Sequence, residues 1–215
     1  MKNIYLSLGF VLAVSLAQGQ NKQTRVADKL FERYEYVEAA QEYLKLADKG
    51  DADTYVVKQL AESYYNIFNT KEAVKWFSKL VEEKQEAETY YKYAQMLKAE
   101  GNYQEANKQM EQFASLAPND QRAKAFKSNP NYLAAVKSQA KLFDITPSDI
   151  SSDKSDFGAV LANDNTIYFT SARNTSRRTH GWNEEPYLDI YKATFNENKT
   201  ISEATPLSDV NTKWH

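Results

Sequence analysis

Apolar positions in the first half of the chain recur on two scales. Glu38-Ala39, Glu72-Ala73 and Glu105-Ala106 lie 34 and 33 residues apart. Shortly after each alanine comes a large apolar residue, Tyr43, Phe77 and Met110, then Leu46, Leu80 and Phe113. Twelve residues before each stand Ala27, Ala61 and Ala94, preceded by Val26, Leu60 and Tyr93. Within a unit the apolar residues fall three or four apart, the spacing of one helix face. Two fixed small residues per unit, with bulk between them, suit a pair of closely packed antiparallel helices. The pattern predicts helices over 22–34 and 36–48, 54–67 and 70–84, 87–99 and 103–115, with Asp53 and Asp120 as N-caps and Gly50 and Asn119 as stops. Shorter helices over 121–128 and 131–141 are expected to cap the array.

From Leu142 the period changes. Leu142-Phe143-Asp144-Ile145 alternates as a strand does, and Thr146 to Lys154 is a Ser/Asp/Pro-rich connector. Phe157 to Ala162, a turn at Asn163-Asp164-Asn165, and Thr166 to Ser171 read as a β-hairpin. Tyr187 to Phe195 is a third strand and Ile201 to Val210 holds a fourth. Four consecutive short strands make one blade of a β-propeller. A blade alone leaves edges and a face uncovered, so the chain is expected to be the front end of a longer protein.

Lys2, the apolar run Ile4 to Leu16, and Ala17-Gln18-Gly19 have the order of a secretory signal peptide over 1–19. The mature chain is expected to begin near Gln20, outside the cytoplasm. The chain has no cysteine, hence no disulfide, thiolate chemistry or lipobox. A net charge of -2 and the lack of a basic stripe argue against a nucleic-acid partner. His180 and His215 have no partner at ligand spacing, so no metal or other cofactor is expected. No nucleophile elbow, phosphate loop or paired catalytic carboxylates occur, which argues against an enzyme.

The repeated alanine and aromatic positions over 21–118 resemble the tetratricopeptide repeat. The segments Ser155 to Gly158, Ile167 to Arg173, Gly181 to Tyr191 and Val210 to His215 resemble the multidomain OmpA-like outer-membrane proteins of the Bacteroidetes, some of them linked to type IX secretion and gliding. That resemblance implies a signal peptide, a helical domain over 20–141, a linker or closing strand over 142–154, and the first blade of a TolB-like propeller over 155–215. The fold class is then α followed by β: a tetratricopeptide α-solenoid leading into an antiparallel propeller blade. A C-terminal OmpA-like domain would bind peptidoglycan.

The function implied is a non-enzymatic periplasmic scaffold, associated with the outer membrane, whose partner is an outer-membrane β-barrel or a secretion-system protein. The alternative is a TolB-like binding module for a soluble partner or ligand, without a cell-wall tether. In tetratricopeptide arrays the first helix of each pair lines the inward face. By register those positions are Thr24, Asp28 and Phe31, then Tyr55, Lys58, Glu62 and Tyr65, then Tyr91, Gln95 and Lys98. The tyrosines either form a peptide groove or pack along the solenoid. On the blade, the loop Arg173 to Pro186 carries Arg177, Arg178 and Trp182, either a contact rim or a solvated loop whose Trp182 packs on a neighbour.

Overall fold

The computed structural model describes residues 22–212; the expected signal segment and the end at Trp214-His215 lie outside the described residues. Three helix pairs come first: α1 (Arg25–Glu32) with α2 (Tyr36–Asp48), α3 (Thr54–Asn66) with α4 (Thr70–Leu80), and α5 (Ala87–Ala99) with α6 (Tyr103–Leu116). Then follow α7 (Gln121–Ser128) and α8 (Tyr132–Ser138). Each pair packs on itself and on the next, so the core runs continuously along the array. The alanine register explains the contact. Ala27, Ala61 and Ala94 on the first helices, and Ala39, Ala73 and Ala106 on the second, are at most 1% exposed. They let the helices approach, and Tyr43, Phe77 and Met110 fill the space beside them. Burying each of those large side chains stabilises the fold by about 1.5–3 kcal/mol.

Val26 departs from its register mates. It is exposed, whereas Leu60 and Tyr93 are buried. Among the described elements α1 packs chiefly on α2, while α3 and α5 each have a helix on both sides. Among the described residues nothing covers that side of α1.

The turn inside each pair is the same in all three units. Tyr34, Phe68 and Gly101 occupy it with φ of 63°, 56° and 76°. Only the third unit has the residue that takes this left-handed conformation without cost. The next residue opens the second helix. Asn69 and Asn102 accept hydrogen bonds from the amides of Glu72 and Glu105, and Glu35 takes the place in the first unit. Asp53 and Asp120 cap α3 and α7 as expected. Helix α4 stops at Leu80, four residues short of the expectation, where Gln85 Nε2 donates to the Leu80 carbonyl.

Beyond α8 the chain is irregular to Ser155. Leu142, Phe143 and Ile145 are exposed and belong to no strand. Among the described residues no sheet edge lies beside Leu142 to Ile145. The sheet is a four-stranded antiparallel meander in the order β1 (Asp156–Leu161), β2 (Thr166–Ser171), β3 (Asp189–Thr194), β4 (Thr205–Pro206). Asn165 closes the first hairpin at φ 62°, and a bulge at Gly158, φ 68°, interrupts β1. The fourth strand is shorter than expected. Pro206 has no N–H to continue the ladder, and Ile201 meets the sheet only through a single bridge to Phe195.

Candidate docking face of the helical repeats

The face formed by α1, α3, α5 and α7 carries all the helical candidate residues, and most of them are already engaged. Thr24 and Asp28 are buried, not lining. Asp28 accepts hydrogen bonds from Thr24 Oγ1 at 2.8 Å, Tyr43 Oη at 2.7 Å and Tyr55 Oη at 2.9 Å. Tyr55 thus joins α3 to α1, and burial together with the Asp28 bond pushes its phenol up to about 12. Phe31 packs edge-on against Tyr36.

The charges of this face pair off between successive units. Lys58 meets Glu86 at 2.5 Å and Glu62 meets Lys92 at 2.6 Å. Arg122, on α7, forms a fork on Glu88 with bonds of 3.1 and 2.8 Å and also bonds its own cap Asp120. Its guanidinium lies 4.1 Å from the ring of Tyr91. Tyr91 in turn packs on Phe113, and Tyr65 sits between Phe77 and the Lys92 ammonium. The Lys58–Glu86 bond holds the Glu86 carboxyl below its ordinary range. Tyr55, Lys58, Glu62, Tyr65 and Tyr91 therefore tie repeat to repeat.

What remains open lies at the end of this face. A hollow of about 310 Å³ is lined by Tyr91, Gln95, Lys98 and Met110 from the third pair, and by Arg122, Phe126 and Tyr132 from the capping helices. Among the described residues neither Lys98 nor Gln95 has an ion-pair or hydrogen-bond partner for its side chain. Phe126, Tyr132 and Arg122 belong to segments that the sequence marks only as caps. One signal for their involvement was present: Glu88 and Arg122 are opposite charges 34 residues apart, one repeat. A second hollow of about 340 Å³ beside α3 and α4 has an edge of Lys79, Glu82 and Glu83 and no aromatic wall.

On the sheet, the loop after β2 is built on two arginines, both turned inward. Arg177 pairs with buried Asp189 and donates to the Thr212 carbonyl. Arg173 lies over Phe169 and Tyr191 and binds Asp156 at 3.0 Å and the Ile150 carbonyl at 2.6 Å. Burial opposes the charge of Asp156, but bonds from Ser171, Ser152 and Arg173 outweigh it and bring its carboxyl down to about 2. Arg178 and Trp182 are the rim candidates that stay exposed. His180 stacks edge-on against Tyr187. Among the described residues no cluster of His, Asp or Glu could hold a metal ion, and no helix is long and apolar enough to cross a membrane.

No protein-family model matches the chain, and no curated protein does. Among solved structures, the C-terminal part of a TPR repeat-containing protein from Cytophaga hutchinsonii is similar to it. The identity is 22% and the TM-score 0.43, over 53% of this chain and 48% of that one. The chain thus spans about half the length of that neighbour.

Proposed function

We propose that the protein is a non-enzymatic scaffold that holds another protein of the cell envelope against its α1–α3–α5–α7 face. The observation that carries this reading is the aromatic-walled hollow left open at the end of a face on which Lys58, Glu62, Glu86, Glu88, Lys92 and Arg122 are paired. Repeat arrays with only neighbour-to-neighbour packing present extended surfaces of this kind. The signal-like segment supports a periplasmic location. The resemblance to OmpA-like proteins supports an outer-membrane β-barrel or secretion-system partner, and a peptidoglycan tether in a following domain.

The four-stranded meander is read as the first blade of a TolB-like propeller. Both its faces carry apolar side chains: Phe157 and Val160 pair with Thr170 and Tyr168 on one, and Leu161 pairs with Ile167 on the other. Phe157, Val160 and Leu161 are all exposed. A sheet in a stack of blades needs apolar residues on both sides.

Cross-linked capture from a detergent-solubilised envelope fraction tests the scaffold reading, with the tagged full-length product as bait. Specific enrichment of an outer-membrane or secretion-system protein is the expected result. Capture that matches an unrelated repeat protein would overturn it.

A further inference from the structure

Lys98 differs from the other cations of the docking face. Lys58, Lys92 and Arg122 each have a carboxylate at 2.5–2.8 Å. Lys98 has none among the described residues; its ammonium lies 5.5 Å from the centroid of the Tyr132 ring. It is half-buried, and burial lowers the pKa of its amine below the ordinary lysine value. A cation withdrawn from water without a counter-ion is costly, and the long lysine stem normally lets the ammonium swing out to solvent. Here the ammonium lies over the Tyr132 ring, and Lys98 lines the hollow together with Phe126. The Gln95 amide, one helical turn earlier on α5, is also without a hydrogen-bond partner among the described residues. The hollow is open to solvent.

We infer that this hollow seats a single acidic side chain, Asp or Glu, from an extended segment of the partner protein, with an apolar neighbour of that residue packed on Tyr132 and Phe126. The inference rests on the docking reading of this face. The missing charge is negative, and a carboxylate would take a charge-assisted bond from Lys98 and a second bond from Gln95. The aromatic walls would exclude water from that pair and strengthen it.

Arrays of short synthetic peptides, randomised around one fixed position, test this with the labelled full-length chain. The first set has Glu at the fixed position and an amidated end, the second Gln and an amidated end, and the third Gln with a free C-terminal carboxylate. The Glu set should retain the protein at least about tenfold more tightly than either Gln set, most strongly where an aromatic or aliphatic residue adjoins the Glu. Lys98→Met should abolish the preference and Lys98→Arg should keep it. Lys108→Met, on the exposed face of α6, should leave it unchanged. Helical circular dichroism confirms that each variant is folded. Equal retention of the Glu and Gln sets, a preference that survives Lys98→Met, or stronger binding of the free-carboxylate set would each overturn the inference. If no set binds while the wild-type chain still captures envelope proteins, this inference falls and the scaffold reading stands. If capture fails too, both fall.

Discussion

Replacing Asp28 with alanine should cost the helical array about 3 kcal/mol. The carboxylate is 3% exposed and accepts three hydroxyl hydrogen bonds at 2.7–2.9 Å. Hydrogen bonds to a charged group contribute about 1.5–3 kcal/mol each when one is deleted, and a hydroxyl left unpaired in the interior costs about 1–3 kcal/mol. The sum overshoots, because removing the carboxylate also relieves its own desolvation, and because bonds sharing one acceptor are not additive. Tyr43 Oη is the group left worst off, since its side chain is fully buried and Gln59 can only donate to it, at 3.2 Å. Urea denaturation followed by circular dichroism reads the loss. Hydrogen exchange should place it in α1 and α2, with α5 and α6 less affected, as a chain of neighbour contacts requires. Tyr43→Phe in the Asp28→Ala background should recover part of the loss. A destabilisation below about 1 kcal/mol, or no rescue by Tyr43→Phe, would refute the view that Asp28 joins the first two repeats.

Gly101→Ala should destabilise by about 1 kcal/mol, because its left-handed backbone is the only obstacle and no atom crowds the new methyl. Phe68→Gly at the matching turn should stabilise by a similar amount, since Phe68 is mostly exposed and loses little packing; chemical denaturation checks both. Tyr65→Ala with Tyr91→Ala should melt well before the wild type, any loss of partner capture following the unfolded fraction, as each ring packs on the second helix of its own pair. The sheet should weaken in acid: the Asp156 carboxyl is held at about 2, below the unfolded value of about 4. Its contribution of about 2 kcal/mol is then full above about pH 4 and lost as pH falls toward 2, which amide NMR signals of β2 and β3 should follow.

The repeat register was legible because it rests on side-chain volume: six alanines at fixed spacing leave one way for the helices to approach. The hairpin at Asn165 was legible for a related reason, since few residues other than glycine accept its positive φ. The state of the docking face was not. A lysine or glutamate on the exposed side of an amphipathic helix reads as solvent-facing whether or not an opposite charge stands one repeat away. Lys58 and Glu86 are 28 residues apart and Glu62 and Lys92 are 30, a spacing that becomes contact only when the repeats stack. The pairing of Arg177 was hidden similarly: its loop is polar, and its acidic partner Asp189 opens β3 and is visible only once the loop folds back. The hollow at Lys98 was half legible, because α5 supplied residues already singled out while Phe126 and Tyr132 looked like plain cap residues.

The placement of the ion pairs gives the array unequal stiffness on its two sides. Pairs on the second helices, Glu42–Lys45, Glu72–Lys75 and Glu105–Lys108, join residues three apart in one helix and resist no movement between units. Pairs at the first helices, Lys58–Glu86, Glu62–Lys92 and Glu88–Arg122, cross from unit to unit. Among the described residues the ion pairs that cross between units therefore reinforce the solenoid along its first-helix side. Pulling its ends apart loads the charged side first, and raising the ionic strength softens that side selectively. Its curvature, and with it the reach between the first repeat and the sheet, becomes a quantity set by salt as well as by packing.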